Sequence, residues 1–84
     1  MHKTSPVVVV PEALTAAAVR AGLTRTVNGK ERICQSSMAR RLGVSQSTIS
    51  RALRGSPVSA PLIAAVVEHL PVVYGEVFRP KAAA

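Results

Sequence analysis

The stretch QSSMARRLGVSQSTISRALR, residues 35–54, decides the fold of this chain. Its first half carries apolar side chains spaced as on one face of a helix: Met38, Ala39 and Leu42. Gly43 follows at a point where helices commonly end in the left-handed conformation, which glycine adopts without steric cost. Ser45 suits the N-cap of a second helix, because its hydroxyl can accept from the backbone N–H of Thr48. The stretch therefore predicts two short helices joined by a tight turn.

The second helix also has an apolar face, formed by Ile49, Ala52 and Leu53 at spacings of three and four. Val44 is expected to be buried in the turn, and Ala39 to be small because the two helices cross there. This is the layout of a DNA-binding helix-turn-helix, whose second helix lies in the major groove. The alternative is an ordinary corner between two helices that has no role in DNA binding.

The charge of the chain is concentrated around this motif. The 84 residues carry a formal net charge of +7, from eleven Lys and Arg against four Glu. Residues 20–54 contain eight of the basic residues and a single Glu, so the net positive charge lies in the motif and just before it. A polyanionic partner is the direct expectation. A solvated basic face without a partner is the alternative.

The sequence VSQSTISRALRGSPVSA, residues 44–60, resembles the recognition helix and following loop of the lac-repressor family. The phage lambda repressor and Cro proteins have a similar pair of helices. The resemblance covers roughly residues 35–70, under half of the chain. It implies a mostly helical, lambda-repressor-like bundle of four to five short helices, with short β-strand segments at the N- and C-terminal ends. Too few residues follow the motif for a sugar-sensing domain, so we expect no small-molecule effector domain, as in small phage or plasmid repressors.

The resemblance also implies roles for side chains of the second helix. Positions matching Gln46, Ser47 and Arg51 read bases in the lac-repressor family, and Ser50 lies on the same outer face. Glutamine can pair with the N6/N7 edge of adenine, and arginine with the O6/N7 edge of guanine. In lambda-type repressors, glutamines stand at the positions of Gln35 and Gln46, and the first braces the second against the phosphate backbone.

Other polar residues of the motif are expected to contact the DNA backbone. Ser36 and Ser37, with the amides at the start of the first helix, form a seat for a phosphate. Thr48 is expected to face a phosphate as well. Arginines could flank the groove, and they complete the backbone set of Gln35, Ser36, Ser37, Arg40, Arg41, Thr48 and Arg54. For Arg40 and Arg41 the alternative is simple solvation.

The segment before the motif predicts a helix and a hairpin. Residues 1–10 form an arm or a short strand, and Pro11 begins a helix that ends at Gly22. The inner stripe of this helix consists of Leu14, Ala17, Ala18 and Ala21. Asn28-Gly29 is a strong hairpin signal, although a flexible basic loop fits the weak alternation nearly as well. In either form, the basic residues of this insertion could reach an adjacent backbone or minor groove: Arg25, Lys30 and Arg32.

The chain after the motif predicts one more helix and a strand. Ser59 caps the helix and Pro71 ends it, and its apolar face consists of Leu62, Ile63, Val66, Val67 and Leu70. VVYGEVF, residues 72–78 in the tail 71–84, alternates like a strand. It pairs either with residues 7–10 or with its own copy in a second subunit, and we favour the second pairing. The dimer contact would then consist of Val73, Tyr74, Val77 and Phe78. The alternative for the two aromatic residues is packing against the last helix of their own chain.

Other classes of protein lack support in the sequence. No apolar run is long enough to span a bilayer, and no secretory signal is visible. Cys34 is the single cysteine, which excludes an internal disulfide and fits a reducing compartment; we expect it to be a buried or half-buried small apolar residue. His2 and His69 match no metal-ligand spacing, so no metal and no cofactor are expected. Without a nucleophile–base pair, an enzyme is not expected either.

Together these features predict a single domain over residues 1–84 that binds double-stranded DNA sequence-specifically. We expect a transcriptional repressor that acts as a homodimer on an inverted-repeat operator, in the bacterial cytoplasm at the nucleoid. Three alternatives stay open. One is an architectural or recombination-accessory DNA-binding protein, and the second is an antitoxin-like module whose tail binds another protein. The third is a fragment of a nucleic-acid enzyme, which the scarcity of acidic residues disfavours.

Overall fold

A computed structural model describes residues 6–81, and the remaining parts of the expected arm and tail, residues 1–5 and 82–84, lie outside this range. The described chain is mostly helical, with five helices and short antiparallel strands near both of its ends. In chain order, the elements are β1 (Val7–Val9), α1 (Pro11–Ala21), β2 (Thr24–Val27), β3 (Lys30–Ile33), α2 (Gln35–Leu42), α3 (Gln46–Leu53), α4 (Ala60–His69), α5 (Tyr74–Val77) and β4 (Phe78–Pro80). No helix in this part of the chain is long and apolar enough to cross a membrane.

Helix α1 begins and ends where its sequence predicts. Pro11 occupies the first turn, where its missing N–H removes no helical hydrogen bond. Gly22 ends the helix in the left-handed conformation, with a φ of 73°. The predicted inner stripe is confirmed, since Leu14, Ala17 and Ala18 are buried and Ala21 is half-buried. The small side chains of this stripe let β3 and α5 pack closely against the helix.

A single apolar core joins the helix-turn-helix to the rest of the chain. The predicted inner residues of α2 and α3 are buried, with Leu53 and the turn residue Val44 half-buried at the margin. The largest side chains that are fully buried in this core are those of Met38, Ile49, Val66 and Val77. Burying a side chain of this size stabilises the fold by about 1.5–3 kcal/mol relative to leaving it exposed. The orientation of α3 is therefore fixed from its inner side.

Helix α4 has the predicted cap but a narrower buried face than we expected. The backbone N–H of Leu62 donates to the Ser59 hydroxyl at 3.4 Å. Leu62, Val66 and Leu70, each four residues apart, are buried. Val67 is 42% exposed, so its predicted place on the apolar face is wrong. The reason is that successive helical residues are turned by about 100°, which carries Val67 away from the line formed by residues four apart.

Strands β2 and β3 form the hairpin that Asn28-Gly29 predicts, not the flexible loop. Asn28 and Gly29 both have positive φ, at 52° and 76°. Positive φ at both central residues is the requirement of a type I′ turn, whose twist matches that of the flanking strands. The turn sets the register of the hairpin, with Val27 opposite Lys30.

Strands β1 and β4 bring the two ends of the described chain together. They pair antiparallel, with Val7 opposite Pro80. The backbone N–H of Lys81 donates to the Pro6 carbonyl at 2.7 Å and extends the pairing by one bond. Residues 7–9 are therefore a strand, and its partner belongs to the same chain.

The tail at residues 72–78 is not the strand that its alternation predicts. Residues Tyr74–Val77 form one helical turn, and only Phe78–Pro80 is extended. The structure buries the consecutive residues Val77 and Phe78, which are 1% and 2% exposed. Successive residues of a regular strand point to opposite faces, so a strand through both would expose one of them. A helical turn followed by a strand buries both against the same core.

This arrangement divides the four residues that we predicted for dimerisation. Val77 and Phe78 lie in the core of their own chain, which is incompatible with a contact surface for a second subunit. Val73 and Tyr74 are 64% and 47% exposed and stay accessible. The Tyr74 ring lies 5.3 Å from the Phe78 ring, measured between centroids. Because β4 already pairs with β1, the strand gives no reason to invoke a second subunit, and our preference for pairing between two copies was wrong.

Candidate nucleic-acid interface

The turn between α2 and α3 is held by backbone hydrogen bonds that only a left-handed residue allows. Gly43 has a φ of 72° and its N–H donates to the Arg40 carbonyl at 3.4 Å. The next N–H, that of Val44, donates to the Ala39 carbonyl at 3.0 Å. This pair of bonds is the Schellman motif, which satisfies carbonyls at the end of a helix and reverses the chain. It sets the angle at which α3 leaves α2.

Ser45 begins α3 and fixes its first turn. The Thr48 backbone N–H donates to the Ser45 hydroxyl at 3.2 Å, as the sequence predicts. The same hydroxyl lies 2.7 Å from the Thr48 hydroxyl and 3.2 Å from that of Ser47. An N-cap of this kind stabilises a helix by about 1 kcal/mol. The first turn of α3, which carries Gln46 and Ser47, is therefore ordered by its own hydroxyl groups.

Helix α3 turns a polar face outward because its apolar face is held in the core. Ile49 and Ala52 are 2% and 3% exposed. Of the predicted base-reading residues, three are exposed and Ser50 is half-buried on the same side. The exposed side chains of the helix and its C-cap are those of Gln46, Ser47, Arg51 and Arg54. This surface, which we call the α3 polar face, can donate and accept hydrogen bonds.

A groove of about 360 Å³ runs along one flank of the α3 polar face. It joins the hairpin to the first residues of α2 and α3, and its lining consists of Arg25, Val27, Arg32, Ile33, Cys34, Gln35, Ser36 and Gln46. The structure thus brings together Gln35 and Gln46, the two glutamines that we expected to act as a pair. Ser36, from the expected phosphate seat, is exposed beside them. We call this surface the hairpin groove.

A second groove lies beside α3, between this helix and the loop that follows it. It is lined by Thr48 and Arg51 together with residues 56–59 of the loop that leads into α4. The backbone N–H of Ser56 donates to the Arg51 carbonyl at 3.1 Å, which ties this loop to the end of the helix. Thr48 and Arg51 thus line one groove and Gln46 lines the other.

Three of the residues predicted to contact the backbone lie elsewhere. Ser37, Arg40 and Arg41 line a different groove, with Leu23 and with His69 at the end of α4. The two arginines are exposed on the outer side of α2. The structure does not bring them into the hairpin groove or the groove beside Arg51.

Cys34 differs from the small apolar residue that we expected. It is half-buried at the N-cap of α2, and its Sγ lies 3.2 Å from the Ser37 hydroxyl and 3.6 Å from that of Ser36. Hydrogen bonds from the Ser37 side chain and backbone, then from the Ser36 hydroxyl, lower the pKa of the thiol to about 7, and the positive charge of Arg25 adds to this. The Ser-Ser sequence after Cys34 was the available signal, since hydroxyls at the start of a helix can face its N-cap.

Two arginines of the hairpin were not among our principal site residues. Arg25 and Arg32 lie directly opposite each other on β2 and β3, and both line the hairpin groove. The two-residue turn was the signal that could have placed them, because residues equidistant from Asn28-Gly29 must face each other once the hairpin forms.

Comparisons with protein-family models, with curated proteins and with solved structures find no match to this chain. Within residues 6–81, no group of three or more His, Cys, Asp and Glu side chains is placed to hold a metal ion. The geometry of the α3 polar face and its two flanking grooves is therefore the basis for a functional interpretation.

Proposed function

We propose that this protein binds double-stranded DNA sequence-specifically through α3 and represses transcription. The observation that supports it most is the α3 polar face, an exposed row of Gln, Ser and Arg on a helix whose other side is fixed in the core. The major groove of B-DNA admits one α-helix and presents donor and acceptor patterns that such side chains read. A lambda-repressor-like arrangement of the helices around the motif belongs to the same proposal.

Base reading and backbone binding fall to different residues in this proposal. Gln46 contacts an adenine edge and Arg51 a guanine edge, with Ser47 and Ser50 between them on the same face. Gln35, Ser36 and Thr48 hold phosphates on either side of the helix, and Arg54 extends the contact at its end. Because Arg40 and Arg41 lie apart from both grooves, we assign them a weaker, long-range attraction for the backbone.

We further propose that the protein acts as a homodimer on an inverted repeat in bacterial nucleoid DNA. Two copies related by a two-fold axis would present two α3 helices to half-sites centred about 34–36 Å apart, one turn of B-DNA. The exposed pair Val73 and Tyr74 is an apolar surface that suits this contact, and it includes the most exposed of the large apolar side chains in the described residues.

Selection from a random duplex library at near-physiological salt, with sequencing of the bound pool, tests the proposal. We expect an enriched inverted repeat containing an adenine and a guanine within each half-site. A single unrepeated site would keep sequence-specific binding and exclude the two-fold dimer. No enrichment, with binding that falls steeply as salt rises, would replace the proposal with an architectural role. Failure of the protein to bind any duplex would exclude DNA as its partner.

A further inference from the structure

The β2–β3 hairpin places two like charges where the protein alone gains nothing from them. Arg25 and Arg32 are directly opposite in the register of the hairpin. Side chains in such a pair have Cβ atoms about 4.5–5.5 Å apart, and like charges there destabilise the pairing. An anion between the two guanidinium groups would offset the repulsion.

Both arginines belong to the lining of the hairpin groove, and Arg32 also lines a neighbouring groove with Glu31 and Gln35. They line the hairpin groove together with Val27, as strand alternation requires for residues 25, 27 and 32. Glu31 is paired with Thr26 on the other face, where its carboxylate accepts from the Thr26 hydroxyl at 3.2 Å. The Glu31 carboxylate therefore has Thr26 as its hydrogen-bond partner.

The hairpin is fixed relative to the start of α2. The backbone N–H of Cys34 donates to the Leu23 carbonyl at 2.8 Å, one residue beyond the ends of β2 and β3, and Leu23 is buried. Arg25 lies close enough to Cys34 for its charge to help lower the pKa of the thiol. Two guanidinium groups and one thiol line the hairpin groove. Its net charge therefore stays positive even when Cys34 is ionised.

We propose that Arg25 and Arg32 together bind one phosphate of a DNA strand, immediately beside the base that Gln46 contacts. The inference deepens the proposed function and rests on it. A guanidinium donates two parallel hydrogen bonds to phosphate oxygens, so two such groups suit a single phosphate. Gln46 lines the same groove, and a phosphate held there fixes how far the first turn of α3 enters the major groove. The hairpin is then a backbone-binding element that sets the register of base reading.

A salt titration on the selected duplex tests the pair. We expect Arg25→Gln/Arg32→Gln to make the slope of log affinity against log salt shallower by about 1.8 for the dimer, which is about 0.9 for one phosphate in each protomer. Between about 50 and 200 mM salt, the variant would then lose roughly 12-fold less affinity than the parent protein. Arg79→Gln/Lys81→Gln, which removes two exposed charges on and just after β4, is the matched control and should leave the slope unchanged. Arg25→Lys/Arg32→Lys keeps the charges and should restore the slope.

Replacing single phosphates of the duplex by neutral methylphosphonates locates the contact. We expect one replacement beside each half-site to weaken the parent protein and to have no effect on Arg25→Gln/Arg32→Gln. The inference is wrong if that variant keeps the parent slope and the same pattern of sensitive phosphates. It is also wrong if the slope falls by about 3.6 for the dimer, which would mean separate phosphates for the two arginines of each protomer. Thermal unfolding should show the variant at least as stable as the parent, because a repulsion has been removed.

The two proposals fail in different ways. If the parent protein selects no sequence and binds no duplex, the proposed function falls, and the phosphate site falls with it. If the parent protein selects an inverted repeat but the hairpin variant matches it in slope and footprint, only the phosphate site is excluded.

Discussion

Arg51 and Arg54 lie three residues apart on the exposed side of α3, and their proposed contacts differ. We expect Arg51→Ala to lose about 1–3 kcal/mol of discrimination at one guanine, because a bidentate contact with that base is removed. Arg54→Ala, the matched control, should weaken binding to all sequences alike and make the salt slope shallower by about one for each protomer, or about two for the dimer. Titration against the selected duplex and single-base variants of it measures both effects. An equal loss on every sequence for Arg51→Ala would exclude its role in base reading.

The thiol of Cys34 is expected to react as a thiolate near neutral pH. Its pKa lies at about 7 because the Ser37 and Ser36 groups at the start of α2 donate to the charged form. The rate of alkylation should therefore rise through a midpoint near pH 7. In Ser37→Ala the midpoint should move back toward the ordinary value of 9.0. A midpoint near 9 in the parent protein would contradict the hydrogen bonds at this N-cap.

The same shift makes stability depend on pH. A thiol whose pKa is lower in the folded than in the unfolded chain contributes stability that is complete above the unfolded value and is lost as pH falls through the folded value. Between pH 9.0 and about 7, the stability of the parent protein should therefore fall relative to that of Cys34→Ser. Urea unfolding across this range measures the difference. The change with pH is the informative quantity, since serine is itself a good N-cap.

Glycine is required at position 43 because of the backbone conformation there, and not because a side chain would lack space. A Cβ at this position would meet nothing within 4 Å, yet φ is 72°. Gly43→Ala should cost roughly 1–2 kcal/mol, the penalty of a left-handed L-residue. Gly43→Asn should cost less, because asparagine tolerates this conformation better. Urea unfolding tests this order, and an equal cost for both variants would point to packing instead.

At the level of elements, Phe78 distinguishes a core residue from an interface residue. Phe78→Ala should destabilise the fold by about 3–5 kcal/mol, because it leaves a cavity among buried side chains. The loss should be the same at all protein concentrations. If Phe78 lay in a dimer contact, the loss of stability would depend on protein concentration, because association of the subunits follows mass action. Thermal unfolding at low and high protein concentration therefore separates the two roles, and a concentration-dependent loss would restore Phe78 to the interface.

The elements that the sequence predicts correctly are those with signals inside a few residues. Gly43, Ser45 and the Asn28-Gly29 pair act through the φ angles and hydrogen bonds of their own segments, so no knowledge of the rest of the fold is needed. The apolar faces of α1, α2 and α3 follow from spacing alone. These features fix the α3 polar face, which is the larger part of the candidate site.

Features that depend on distant segments could not be predicted in the same way. Alternation at residues 72–78 predicts a strand, but this segment forms a helical turn, because only then can Val77 and Phe78 both be buried against the core. The hairpin groove depends on how β2 and β3 sit against the start of α2, which the sequence does not show. That Arg25 lies opposite Arg32 can be predicted from the sequence only if residues 24–33 are taken as a hairpin and not as a flexible loop.

For the whole molecule, the dimer proposal now depends on a small exposed patch. We expect Val73→Ser/Tyr74→Ser to stay folded, since both side chains are largely exposed, but to sediment as a monomer and to bind the inverted repeat more weakly. Val67→Ser, at an apolar residue of similar exposure on α4, is the control and should remain dimeric. If the double variant still sediments as a dimer, the contact lies on another surface.

The pairing of β1 with β4 has a consequence for the way the chain folds. Strand β1 is synthesised first among these elements, but it cannot pair until β4 has been synthesised last, because Val7 pairs with Pro80. Until then Val9, which is 4% exposed in the final structure, has no strand beside it. Helices α2 and α3 are adjacent in the sequence and pack against each other, so they can form early. Pairing β1 with β4 closes a loop that contains most of the chain, and this closure has an entropic cost. We therefore expect folding to be completed only after nearly all of the described chain has been synthesised, when β1 pairs with β4.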